Sequence, residues 1–413
     1  MGQTHSYPEN EMPQKKPGSP HKASNTSPAK KAQQPILQFP SVSTRLSSYQ
    51  AKSDYDSLGL PFKATKRNGT MDLQTFFGAG PIQQIVASGQ IIFHLMGDSG
   101  VGTAEQEAVA DAMASDINNV NHELGPSFMV HLGDVIYGPN KQATYADRFY
   151  RKYDSYDRLI FAIPGNHDGE VFPSTDPKTL AAFTTNFCAA SGKQPPLAKQ
   201  FGMLMPNQPG PYWHLTAPFV DIIGLYSNAD ENVGIIGNAN VGAKQKTWLQ
   251  SRLKAIAAAG SGGERKGLVI AVHHPPYARG FQTSGVGHPS NPEMTQDIDD
   301  CCAQAGILPD AVIAGHTHSY QHYVRTQNFK GATHTIPYLI VGTGGIGLQR
   351  LPAPTGVRNS TGDVLYYSAF KDYGYLMVTA SATQLTMQFY AVVATHRELW
   401  EQIVVNLAMQ TIV

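Results

Sequence analysis

"HLMGDSGVG", residues 94–102, and "HLGDVIYGPN", residues 131–140, are built alike: an apolar run stops at Gly-Asp, so an acid is presented where a strand ends. Comparable punctuation returns as Gly165-Asn166-His167-Asp168, Val272-His273-His274-Pro275 and Gly315-His316-Thr317-His318, each after a short apolar run. A glycine at such a strand end lets the backbone turn tightly and aim the next side chain into a cleft. If all five ends meet on one edge of the core, they assemble two carboxylates, an amide oxygen and several imidazoles. That donor set suits two hard-to-borderline cations a few ångström apart, with one carboxylate bridging them. Taken singly each motif is weak, because Gly-Asp is a common turn and a lone His-x-His is more often surface or core. Their joint occurrence, in this order, carries the argument. His94 and His131 sit mid-strand ahead of their Gly-Asp pairs and read as buried structural histidines.

The surrounding pattern gives the fold class. Apolar runs at 91–96, 127–132, 159–164, 212–217, 219–226, 267–274, 310–315, 337–342, 375–380 and 385–394 read as strands. Helical periodicity covers 103–120, 243–260 and 291–306; Thr103 with Gln106 forms a capping box, and Gly260 and Gly306 are C-cap residues. Strand–helix alternation early and closely spaced strands late imply an α/β fold of two packed mixed β-sheets flanked by helices. Residues 1–45 are polar and rich in Pro, Ser, Lys, Gln and Asn, and are expected to be a disordered tail. Residues 46–88 form a transitional segment, and 89–413 a single catalytic domain.

Composition narrows the function classes. Lys+Arg and Asp+Glu both number 31 in 413 residues, so the basic excess of a nucleic-acid binder is not evident. Three cysteines, two of them adjacent, cannot build a disulfide framework. There is no secretory signal pattern and no run of 18 apolar residues, hence no transmembrane segment is expected and a cytoplasmic location is. "MGQTHS" fits a myristoylation pattern at Gly2, which would give only a weak anchor. "GTGGIG" at 342–347 satisfies a dinucleotide fingerprint, but two prolines follow where a helix would have to open; it reads as a turn behind the cleft. Oligomeric state is not encoded in any of these features.

Together the motifs resemble the calcineurin-like metallophosphoesterases, and within them the purple acid phosphatase branch. The shared elements are Asp98-x-Gly100, Gly133-Asp134-x-x-Tyr137, Gly165-Asn166-His167-Asp168, a histidine after an apolar strand, and Gly315-His316-x-His318 continuing to Tyr320. The similarity spans residues 89–395. Many metal-dependent phosphoesterases carry a metal-binding histidine two residues after the first acid, where this chain has Gly100. The resemblance implies that the phenolate of Tyr137 replaces it. A phenol ionises near pH 10, so a trivalent cation such as Fe(III) is the expected partner. Implied at the iron are Asp98, Asp134, Tyr137 and His318. Asp134 bridges to a divalent ion (Fe, Zn or Mn) held with Asn166, His273 and His316. His273 is preferred to His274 because the family histidine stands two residues before the proline. The implied fold is the metallophosphoesterase-type αββα sandwich, and the implied activity is phosphoester hydrolysis by in-line attack of metal-activated hydroxide. His167 is implied to donate a proton to the leaving oxygen or to hydrogen-bond the phosphate. Asp168 either orients that ring or caps a turn, and His288 is either a second imidazole near the substrate or a loop histidine. The substrate class is a small phosphoester, with monoester and diester left undivided. The alternative is a phosphoester-binding or scaffolding protein that keeps the fold with little turnover.

Overall fold

The computed structural model describes residues 69–118, 125–169, 179–188, 193–229, 234–237, 241–261, 265–279, 291–351, 356, 358–393 and 396–413. The expected tail, the first part of the transitional segment and His288 lie outside the described residues.

Two mixed sheets carry the fold. The strands are β1 (Thr70–Asp72), β2 (Gln90–Met96), β3 (Phe128–His131), β4 (Leu159–Ala162), β5 (Trp213–Ala217), β6 (Val220–Leu225), β7 (Gly267–Val272), β8 (Ala311–Ala314), β9 (Tyr320–Phe329), β10 (Ala332–Val341), β11 (Val364–Phe370), β12 (Gly374–Ser381), β13 (Gln384–Val393), β14 (His396–Asn406) and β15 (Thr411–Ile412). One sheet runs β1-β5-β6-β7-β8-β10-β9-β11 and the other β15-β14-β13-β12-β2-β3-β4. Neighbours β2, β3 and β4 are parallel, as are β6, β7, β8 and β10.

Side-chain alternation along β7 explains its unbroken apolar run. Val269 and Ala271 join a core cluster with Phe93, Phe128 and Phe161 of the opposite sheet, whereas Leu268, Ile270 and Val272 join a second cluster. Helix α2 (Val241–Gly260) supplies Leu249 and Leu253 to that second cluster, and α3 (Pro292–Ala305) supplies Met294 and Ile298. A strand buried on both faces reads as continuous hydrophobicity rather than alternation. Helix α3 begins where the Asn291 side chain accepts from Glu293 N and Met294 N, and ends at Gly306 in the left-handed region.

The two-sheet architecture agrees with the sequence reading, and its extent is larger. The stretch 69–88, read as transitional, contributes β1 alongside β5 and buries Met71, Leu73, Phe76 and Phe77 in the core. Strands β9 and β14 were not apparent from the sequence because polar residues interrupt them. Arg325 of β9, for example, is buried through a bidentate pair with Asp299 and a hydrogen bond to Tyr338. The glycine-rich 342–347 segment packs against the first acidic strand end: Gly344 N donates to Gly97 O at 3.0 Å and Ile346 N to Asp98 O at 3.0 Å. No helix of the described residues is long and apolar enough to cross a membrane. The three cysteines are buried and unbridged.

His94 and His131 are fully buried and satisfied. His131 receives Gly133 N at its Nδ1 and pairs with Ser99 Oγ at 2.8 Å; burial holds its ring neutral, down to about 3. His94 bridges Tyr156 and Asp116. Asp116 also accepts from Tyr375 and pairs with Arg397 Nε at 2.8 Å, which ties helix α1 (Ala104–Asn118) to β2, β12 and β14. Removing that carboxylate takes the shared acceptor from the Arg397 cation and from His94 and Tyr375. Asp116→Ala is expected to lose about 3–5 kcal/mol in urea unfolding, and a loss below ~1 kcal/mol would show that the network is not structural.

Candidate metal centre

All five polar strand ends lie at carboxyl ends of parallel strands. Asp98 follows β2, Asp134 follows β3, Asn166 follows β4, His273 follows β7 and His316 follows β8. The first three strands belong to one sheet and the last two to the other, so face-to-face packing brings the ends together. Asp98, Asp134 and His316 each adopt a left-handed backbone, with φ of 62°, 51° and 65°. Non-glycine residues pay strain there, and such strain clusters at functional sites.

Each acid is oriented by a backbone donor from another strand end. His316 N donates to Asp98 Oδ2 at 2.8 Å, and His167 N donates to Asp134 Oδ1 at 2.9 Å. The other Asp98 oxygen accepts from the Tyr137 hydroxyl at 3.2 Å. Tyr137 Oη is 3.3 Å from His318 Nε2, which is itself 3.7 Å from Asp98 Oδ1. Asp98, Tyr137 and His318 therefore converge. On the other side His273 Nε2 lies 3.2 Å from Asn166 Oδ1 and 3.5 Å from Asp134 Oδ2. The His316 ring stands 5.1 Å from that of His273 and 4.2 Å from that of His274.

Backbone carbonyls set which imidazole nitrogen faces inward. His273 Nδ1 meets Leu132 O at 2.8 Å, and His318 Nδ1 meets Gly347 O at 3.2 Å. A carbonyl can only accept, so each Nδ1 carries a proton, and a ring left neutral turns its Nε2 lone pair toward the acids. In that state His273 Nε2 and Asn166 Oδ1 are two acceptors face to face, and a cation belongs between them. Asp134 Oδ2 is buried and has no hydrogen-bond partner. Ligand atoms of Asp98, Asp134 and His273 lie within 4.8 Å of one another, as do those of His273, His274 and His316. The residues present thus fit metal binding, with His273 common to the two groups.

Electrostatics agree. Burial pushes Asp98 up to about 7. Burial would also raise Asp134, but the charges and hydrogen bonds of His273 and His167 together hold that carboxyl below its ordinary value. His273, which burial alone would lower, is lifted to about 9 by Asp134 and Asp98. Burial, then Asp134 and Asp98, drives the Tyr137 phenol well above 10. A phenolate there needs a strongly charged cation beside it.

Gly100 answers why the first strand end lacks a histidine at this position. A Cβ on residue 100 would lie 2.0 Å from Val135 O and 2.3 Å from Ile136 Cα. Tyr137 N donates to Gly100 O at 2.8 Å. The loop that delivers Tyr137 occupies the space of any side chain at 100, so glycine and tyrosine form one geometric unit.

Remaining sequence candidates divide. The His167 ring is 4.6 Å from the Tyr137 ring and half-buried. Asp168 is fully buried, and its oxygens accept from Val135 N, Ile136 N and Gly165 N. Those bonds brace the Tyr137 loop, which is the turn-capping alternative for this residue. His274, held as the lesser choice, pairs through Nδ1 with Ser227 Oγ at 2.8 Å and stands beside His316. Ser227 carried no signal in sequence, because nothing in its own segment marks a partner 47 residues away.

Comparisons with known proteins fit this geometry. The sequence profile of the calcineurin-like phosphoesterase family matches residues 93–320. No curated protein sequence matches the chain. Among solved structures, the chain is similar to GAP50, the anchor in the inner membrane complex of Plasmodium, at 14% identity and a TM-score of 0.52, covering 77% of this chain and 89% of that one. It is also similar to the purple acid phosphatase PPD1 from yellow lupin seeds, at 14% identity and a TM-score of 0.54, covering 77% of this chain and 54% of that one.

Gly100→Ala is expected to force the Tyr137 loop outward. It should cost about 1–3 kcal/mol of stability and reduce metal uptake measured by elemental analysis. Gly80→Ala, whose added methyl meets nothing within 4 Å, should leave both unchanged; equal behaviour of the two variants would refute the packing argument.

Proposed function

The chain belongs to the calcineurin-like phosphoesterase family, and from that premise we propose that it is a dinuclear-metal phosphohydrolase of the purple acid phosphatase type. The observation that carries the finer reading is the Tyr137 oxygen, 3.2 Å from Asp98 Oδ1 and 3.3 Å from His318 Nε2, in a loop that leaves no room for a side chain at Gly100. Asp98, Tyr137 and His318 would hold Fe(III), and Asn166, His273 and His316 the divalent Fe, Zn or Mn, with Asp134 between them. When bound, such a pair supplies Lewis acidity toward phosphoryl oxygens and activates water near neutral pH.

The protein's own groups do the positioning. Leu132 O and Gly347 O hold the Nδ1 edges of His273 and His318, so that Nε2 of each ring faces the acids. Asp168 locks the 135–137 turn, and so the direction of Tyr137. The backbone N–H of His167 fixes Asp134, and its ring lies beside the phenol, where it would hydrogen-bond the phosphate or protonate the departing oxygen. His288 is proposed as a second imidazole near the substrate on the strength of the family pattern. A small phosphoester substrate and a cytoplasmic location complete the proposal.

The likeness to GAP50 favours one alternative, because that protein is described as an anchor. In that reading the centre binds phosphoesters or a partner with little turnover. Elemental analysis, a visible spectrum and p-nitrophenyl phosphate turnover separate the cases. Wild-type protein is expected to hold two metals including iron, to be coloured, and to lose its colour in Tyr137→Phe. Turnover is expected to fall to background in Asp134→Ala. Active but colourless, iron-free protein would defeat the purple-type assignment; metal-loaded wild type no faster than Asp134→Ala would leave the binding reading.

A further inference from the structure

A cavity of about 580 Å³ opens at the opposite end of the larger sheet from the metal centre. Arg265 and Lys266, at its wall, precede β7, whereas His273 follows it. Six strand residues at about 3.3 Å each place the two regions about 20 Å apart. The cavity is therefore a separate feature, and its size is that of a small-molecule site.

Its wall combines apolar surface with three cationic side chains and one carboxylate, that of Asp221. Ile256, Ile307 and Phe329 line it, together with Ala255 and Ala259, whose spacing of four puts two methyl groups on one helix face. These small residues near the C-terminus of α2 leave the space that a larger side chain would fill. Among the charged residues, Arg265 is neutralised by Asp310 at 2.9 Å, and Asp221 is taken by His214 at 2.9 Å. Lys266 and Lys330 have only neutral acceptors among the described residues. Lys266 Nζ donates to Thr216 Oγ1 at 3.1 Å and Ala217 O at 2.9 Å, and Lys330 Nζ donates to Gly306 O at 2.8 Å. An ammonium has three N–H donors, so one remains on Lys266 and two on Lys330. His214 adds a buried Nδ1 with no hydrogen-bond partner on the same wall.

We propose that this cavity binds a small amphipathic anion, an acidic head group on a hydrocarbon or aromatic body. The head group would meet the free donors of Lys266 and Lys330, neither of which makes an ion pair among the described residues. The body would cover Phe329, Ile256 and the alanine face of α2, which otherwise remain in contact with water. A neutral apolar ligand would leave the lysines unsatisfied, and an inorganic anion would gain nothing from the apolar wall. The inference is independent of the reading of the metal centre.

Isothermal titration of the full chain with decanoate and with decyl phosphate tests the proposal, and the preference between them identifies the head group. One-to-one binding is expected for at least one of them. Affinity should fall about tenfold or more in Lys266→Gln/Lys330→Gln, and by a similar factor for uncharged decanol on the wild type. Ala259→Trp, on an exposed position of the cavity mouth, should abolish binding, with thermal unfolding as the check that both variants fold. Four outcomes overturn the proposal: neither anion binds, decanol binds equally well, the double variant keeps wild-type affinity, or inorganic phosphate displaces the ligand.

Discussion

Asp98 and Asp134 are buried, and their oxygens share a space of less than 5 Å with one imidazole nitrogen. Two carboxylates in that position repel each other and have lost their water, which is tolerable only with compensating positive charge and oriented donors. The donors are present: backbone N–H groups of His316 and His167, each from a different strand end. Positive charge comes from His273, which Asp134 and Asp98 lift to about 9. Strained backbone at Asp98, Asp134 and His316 follows from the same demand, because only a left-handed turn aims these side chains inward directly from a strand end.

The fold makes this convergence rigid. Parallel strands from both sheets end at one edge, and each is buried on both faces, so their ends have little freedom to move apart. Around the acids, the glycine-rich 342–347 segment closes the rear of the site by backbone hydrogen bonds to Gly97 and Asp98. A motif that looks like a nucleotide loop is therefore part of the wall behind the metal ligands. The opposite end of the same strands carries the cavity with its two lysines, and the sheet core separates the two polar regions.

Tyr137 and Gly100 show how the position of one loop excludes a side chain on another. Bringing the 135–137 turn close enough for its phenol to reach Asp98 and His318 requires the turn's backbone to lie against residue 100. No side chain fits there. The same turn is held from beneath by the Asp168 carboxylate, so an acid from the third strand end braces the loop of the second. Ligand identity at this centre is a property of three segments together.

Much of this could be read from residue order. Strands such as β7 are apolar throughout because both faces are covered, and the polar strand ends stand out against them. Asp98, Asp134, Tyr137, Asn166, His273, His316 and His318, singled out by residue order and the family resemblance, lie close together in the structure. Strands β9 and β14 were hidden because their polar residues become acceptable only through partners such as Asp299 for Arg325. Likewise, the protonated nitrogen of His273 is chosen by Leu132 O, 141 residues away, and that of His318 by Gly347 O. Every residue has a backbone carbonyl, so no letter of the sequence marks those two. Which residue types are on hand is a local property of the chain; which atom of each faces the acids is settled by distant backbone that folding brings alongside.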